Sequence, residues 1–253
     1  MRQNNAIAPK LRFMSARQQV LEVVAARILK TSSPYVLRVA VDGVDGAGKT
    51  VFADELAQVL KTSGQDVIRA SVDGFHNSRE LRYRLGRGSP EGFYRDSYDY
   101  DALKRNLLEP LSPGGSGCYR TAVYNVAAET PVTVPERQAA PGAILLLDGI
   151  FLHRPELRPY WDVSVWLEVA FSVSIPRGAQ RGVGSPDSHA PQNRRYVEGQ
   201  KLYLVDKMAK IARSTHDADE GPDPHHRLYP LPLPPLQRCR PRRRRRRLHR
   251  APE

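Results

Sequence analysis

Residues 43–50 read Gly43-Val44-Asp45-Gly46-Ala47-Gly48-Lys49-Thr50, a full match to G-x-x-x-x-G-K-[ST]. This pattern constrains the fold because it works only between a strand and a helix. Glycines let backbone N–H groups turn inward around phosphate oxygens, and the N-terminus of the following helix favours negative charge there. The flanks comply. YVLRVAVDG (35–43) is β-branched, apolar and ends in glycine, the texture of a buried strand. Residues 49–62 carry Phe52, Leu56, Val59 and Leu60 at helical spacing. In such a loop Lys49 would reach the β- and γ-phosphates of a nucleotide and the Thr50 hydroxyl would ligate Mg²⁺.

The rest of the chain extends this unit. SARQQVLEVVAARILK (15–30) predicts a helix with Ser15 as its N-cap. DVIRASVDGF (66–75), AILLLDG (143–149) and VSVWLEV (163–169) read as three more buried strands. Strands alternating with helical segments predict an α/β fold of three layers, with a mostly parallel central sheet covered on both faces. Between them, NSRELRYRLGRGSPEGFYRDSYDY (77–100) is polar, aromatic and arginine-rich, and reads as a functional loop. A short helix is expected over 101–109. YRTAVYNV and TPVTVP are then candidates to pair as a hairpin.

With 253 residues there is material for one sizeable core, with at most a small appendage. A mean hydropathy of −0.51 and the lack of any apolar run near 20 residues argue against a membrane-spanning chain. The first residues hold no secretory apolar stretch. Two cysteines, Cys118 and Cys239, are too few for a disulfide framework or a four-ligand zinc site, so a reduced, cytoplasmic setting is expected. The formal charge of +12 is uneven. Residues 238–253 hold nine arginines and one acid and so carry +8, while the other 30 basic and 26 acidic groups leave the body at +4. Eight of the 21 prolines fall in 221–253, alongside six consecutive arginines at 242–247. That composition predicts a disordered Pro/Arg-rich tail able to touch nucleic acid non-specifically.

Two carboxylates are candidates for chemistry. AILLLDG ends in Asp148, placed to help hold Mg²⁺. SVDGFH puts Asp73 at the carboxyl end of the strand after the loop helix, where ligands sit in open α/β sheets. There it is positioned to accept a proton from an attacking hydroxyl. His76 lies beside it as a candidate substrate contact.

Taken together, GVDGAGKT, SVDGFH, RYRLGRGSPEGFYRDSYDYDAL and LLLDGIFL resemble the uridine kinase-like branch of the P-loop kinases, which includes phosphoribulokinase- and pantothenate kinase-like enzymes. The likeness covers about residues 18–205. It divides the chain into an N-terminal extension (1–17), a kinase domain (18–212) and the tail (213–253). The resemblance implies transfer of the γ-phosphoryl group from ATP to a hydroxyl of a nucleoside or related small acceptor. It further implies Asp73 as the base, with 77–100 and the 119–130 hairpin binding the acceptor. Tyr94 belongs to the branch-specific SPEGFY stretch, and Tyr124 is the hairpin's candidate for stacking on a ring. Arg82, Arg84 and Arg87 would alternatively suit an anionic acceptor. An arginine lid is also implied, with Arg177 and Arg181 as its catalytic groups and Arg194 and Arg195 as further contributors. A homo-oligomer is an open expectation.

The chain departs from the family pattern in three places. Arg181 precedes glycine where the family has aspartate, and Pro176 with Gly178 weakens the helix that should present the lid. After KLYL the family expects one more apolar strand, whereas this chain turns to sequence that reads as a replacement beyond about residue 206. Two other readings therefore stand beside the kinase: a degenerate, non-catalytic nucleotide binder and a nucleic-acid-associated P-loop ATPase. The segment 77–100 has no place in the latter.

Overall fold

The computed structural model describes residues 15–31 and 33–216, with side chains through Asp206. Apart from 15–17 and 213–216, the N-terminal extension and the arginine tail lie outside the described residues. So does any nucleic-acid contact that tail would make.

Helix α1 (Ala16–Lys30) starts where Ser15 accepts the Gln18 N–H, and it buries Leu21, Val24, Ala25 and Ile28. Strand β1 (Leu37–Gly43) runs into α2 (Lys49–Thr62) through the 43–50 loop. β2 (Val67–Ser71) follows and ends in a 3₁₀ turn over Val72–Phe75. The segment 77–100 is less of a loop than its composition suggests. Ser78 caps α3 (Arg79–Arg82), and Ser89, followed by Pro90 and Glu91, caps α4 (Pro90–Asp96). These are ordinary helix-start signals read one residue at a time. Next come α5 (Tyr100–Leu103), which continues as a π turn over Lys104–Leu108, and two small ladders. β3 (Cys118–Tyr119) pairs with β6 (Arg137–Gln138), and β4 (Tyr124–Asn125) pairs with β5 (Thr130–Pro131), the expected hairpin in short form. β7 (Ile144–Asp148), β8 (Val163–Leu167), α6 (Phe171–Ala179) and α7 (Arg194–His216) complete the described chain.

The four longer strands form one parallel sheet in the order β2-β7-β1-β8. β1 and β7 lie inside the sheet and are buried throughout, whereas the edge strands alternate buried and half-buried residues. On one face Leu37, Val39 and Val41 of β1 meet the apolar sides of α1 and α2. On the other, Ala40, Leu145 and Leu147 meet Phe93, Leu103, Leu107 and Tyr203. This is a three-layer α/β arrangement. Arg38 is buried in β1 and is satisfied there, its Nη2 2.9 Å from Asp162 Oδ1 and its Nη1 donating to Ser112 at 2.8 Å. Among the described residues the parallel sheet has four strands, and helical backbone continues past residue 206 to His216.

Candidate active site

The carboxyl ends of β1, β2 and β7 open into a cavity of about 390 Å³. The 43–50 loop forms its floor. Gly46 and Gly48 take φ of 77° and 89°, the left-handed region that favours glycine. At Gly46 space is decisive as well, since a Cβ there would sit 2.1 Å from the Ser174 carbonyl oxygen of α6. Gly46, Gly48, Lys49 and Thr50 line the cavity together with Asp45. Val44 and Ala47 turn their side chains down into the core, and Gly43 closes β1 beneath them.

Lys49 is buried, and its Nζ donates to the Val44 carbonyl at 2.9 Å. Burial pulls its ammonium below the ordinary lysine value, while Asp45, Asp42, Asp148 and Asp73 push back. The Thr50 hydroxyl donates to Asp148 Oδ2 at 2.7 Å. Asp148 Oδ1 lies 2.8 Å from Arg69 Nη2 but receives no aligned hydrogen bond. A buried carboxylate oxygen held by charge alone, beside a hydroxyl at a phosphate loop, suits Mg²⁺, which takes few protein ligands and completes its shell with water and phosphate. Among the described residues no cluster of three or more His, Cys, Asp or Glu forms a self-sufficient metal site.

Asp73 sits exposed on the 3₁₀ turn, pinned by buried Val72 and Phe75 on either side. Tyr98 donates its hydroxyl to Asp73 Oδ1 at 3.1 Å. Burial and the Asp73 charge together hold the Tyr98 phenol well above its ordinary value, so it stays a proton donor. His76 Nδ1 is 2.9 Å from the Asp73 carbonyl. That oxygen only accepts, so Nδ1 carries the proton and Nε2 is left as an acceptor. The turn is clamped from above: Val123 N–H donates to the Gly74 carbonyl at 2.8 Å, and a Cβ on Gly74 would lie 2.7 Å from the Thr121 carbonyl.

The structure separates the proposed acceptor and lid residues. His76 and Arg82 line the cavity, and Arg82 holds Glu129 through Nη2 at 2.5 and 2.6 Å. Tyr124 donates to the same Glu129 at 3.1 Å and lies outside the lining, so it braces the hairpin rather than offering a stacking face. Arg84 forks onto Asp96 at 2.9 and 2.7 Å, outside the cavity. Tyr94 turns toward α7 and donates to Asp206 at 3.1 Å, because the cap at Ser89 sets the face that α4 presents. Of the lid pair, Arg181 lines the cavity 3.7 Å from Asp45, whereas Arg177 stays half-buried on the last turn of α6, away from the lining. Arg194 is exposed, but its neighbour Arg195 lines the cavity.

Several contributors escaped the sequence reading. Gln200 of α7 accepts the Asp45 N–H at 2.5 Å. Asp42, fully buried, accepts the Gly43 N–H at 2.6 Å, takes His153 Nδ1 at 2.7 Å and receives the Tyr203 hydroxyl. An acid inside an apolar strand was the visible signal for Asp42. Tyr83, Tyr98 and Tyr196 complete the aromatic wall.

Fold and site together define a three-layer α/β architecture with a G-x-x-x-x-G-K-T loop at the carboxyl end of its parallel sheet. A possible uridine kinase from Bacillus stearothermophilus superimposes with a TM-score of 0.60 at 21% identity, over 74% of this chain and 91% of that one. A candidate fructose transport system kinase from a Silicibacter species matches equally, with a TM-score of 0.60 at 21% identity over 76% and 95% of the two chains. At this identity the likeness establishes the fold. No protein-family model matches the sequence, and no curated protein matches it significantly. Among the described residues no helix is long and apolar enough to cross a membrane.

Proposed function

We propose that this chain is an ATP-dependent kinase that transfers the γ-phosphoryl group to a hydroxyl of a small acceptor, a nucleoside or related metabolite. The observation that carries the reading is a carboxylate, Asp73, sharing one cavity with Lys49 and the 43–50 loop. Loop amides and Lys49 would hold the triphosphate, and Thr50 with Asp148 would hold Mg²⁺. The ion supplies charge neutralisation between the β- and γ-phosphates when bound. Tyr98 ties down Asp73 Oδ1, which leaves Oδ2 to take the proton of the acceptor hydroxyl as its oxygen attacks phosphorus. Arg181 stands at the loop to neutralise charge on the transferred group. The low cysteine content suits action in the cytoplasm.

The test is ATP consumption against uridine, cytidine, pantothenate and sugar phosphates. Asp73→Asn should lower turnover about 10³-fold while leaving the affinity for a fluorescent ATP analogue within about twofold. Full turnover by that variant would remove Asp73 from the base role.

A further inference from the structure

Asp45 stands at a position of the 43–50 loop that the G-x-x-x-x-G-K-[ST] pattern leaves open, and it lines the cavity. Its Oδ1 accepts the Gly46 N–H at 2.9 Å and lies 3.7 Å from Nη2 of Arg181. Burial lowers the affinity of the Lys49 ammonium for its proton, and of the four carboxylates that oppose this, Asp45 acts most strongly. One carboxylate thus acts on a loop amide, the loop lysine and the arginine beside the loop. A bound phosphate would draw on the same three groups.

Other donors of the loop are also satisfied from within. The Asp45 N–H goes to Gln200 Oε1 at 2.5 Å, the Ala47 N–H to the Val44 carbonyl at 3.1 Å, and Lys49 Nζ to that same carbonyl at 2.9 Å. Donors that already have acceptors give an incoming anion less to gain. Asp45 adds a charge to this. A phosphate oxygen arriving at the Gly46 N–H meets the carboxylate that already holds it, and two anions in a half-buried site repel. The carboxylate is nevertheless free to swing away. Its side chain is 33% exposed, and its pairing with Arg181, itself 59% exposed, is long for an ion pair. Gln200 and the Ala47-to-Val44 hydrogen bond hold the turn without using the carboxylate.

We infer that the Asp45 carboxylate is an internal competitor for the phosphate site, holding the Gly46 N–H and Arg181 until a polyphosphate takes them. Asp45 thereby sets how tightly the loop takes its nucleotide. The inference rests on the nucleotide-binding part of the reading above, and neither the acceptor nor Asp73 enters it.

Binding measurements on the full chain test it. Asp45→Ala should lower Kd for a fluorescent ATP analogue with Mg²⁺ about tenfold, the gain when about nine in ten nucleotide-free molecules hold the carboxylate in place. Kd for inorganic pyrophosphate, read by displacement of the analogue, should fall by a similar factor, because the competition is at the phosphates. In an Arg181→Met background the gain should be about two- to fivefold smaller, the range for one exposed pair lost from the cycle. Asp45→Asn keeps the size of the side chain without its charge and should shift Kd in the same direction; urea unfolding reports that each variant is folded. Unchanged or weaker analogue binding by both Asp45 variants overturns the inference and leaves the loop a nucleotide site. A gain of equal size with and without Arg181 also overturns it, since that is charge repulsion with no shared partner. A gain for the analogue that pyrophosphate does not share overturns it as well, by moving the effect to the base or ribose. Binding of neither probe by the parent or any variant overturns both the inference and the nucleotide site.

Discussion

At the scale of single residues the site is a set of paired charges arranged so that a few groups are left available. Asp73 gives one oxygen to Tyr98 and keeps the other, and Lys49 is buried beside four carboxylates, of which Asp42 and Asp148 are buried with it. His76 is the residue whose titration exposes this arrangement. Burial lowers its pKa from 6.5, against the pull of the Asp73 carbonyl and carboxylate. Folding therefore disfavours the imidazolium. The stability that the neutral ring contributes is complete above pH 6.5 and is lost as pH falls from there through the folded-state value. Its NMR titration midpoint should lie below 6.5, and His76→Gln should lose less stability than the parent between pH 7.5 and 5.5 in urea unfolding. A midpoint above 6.5 would contradict the geometry around the Asp73 turn.

At the scale of elements, α6 forms despite a proline inside it. Pro176 has no N–H to donate, and its ring crowds the preceding turn. The helix nevertheless spans Phe171–Ala179 and then stops, with Gly182 at φ 84° just beyond Arg181. Pro176→Ala should raise stability by roughly 2–2.6 kcal/mol. That figure is the roughly 3 kcal/mol interior penalty less the unfolded-state entropy that proline removes. Urea unfolding measures it, and a loss of stability would mean that the ring is needed where it packs. Elements were also the most legible level in the sequence. The strand, loop and helix over 37–62 announce themselves because the glycine pattern, the apolar period and the caps are all local. Tyr94 and Tyr124 were harder: both stand in polar, aromatic stretches that suit a ligand. Whether such a ring faces a cavity depends on the Ser89 cap and on Glu129, which sits at φ 53° in the hairpin turn.

At the scale of the whole molecule, α7 was the part the sequence concealed. Its residues touch partners more than a hundred positions away: Arg195 at Arg87, Gln200 at Asp45, Tyr203 at Asp42. No spacing rule anticipates such contacts. The polar cluster of Asp42, His153 and Tyr203 lies behind the 43–50 loop, and the His153 N–H donates to the Tyr203 hydroxyl at 3.0 Å. Tyr203→Phe removes one donor to a buried carboxylate and one acceptor for a backbone amide. It should cost about 1–3 kcal/mol in urea unfolding and weaken ATP-analogue binding, since Asp42 also holds the Gly43 N–H. Unchanged stability and binding would show that the cluster does not brace the loop.

The nucleotide motif is thus not self-sufficient. It is fastened from behind by a tyrosine 161 positions downstream and from the side by a glutamine on the same helix. A frameshift or stop codon falling ahead of Gln200 would spare every letter between Gly43 and Thr50, yet leave that stretch unlatched.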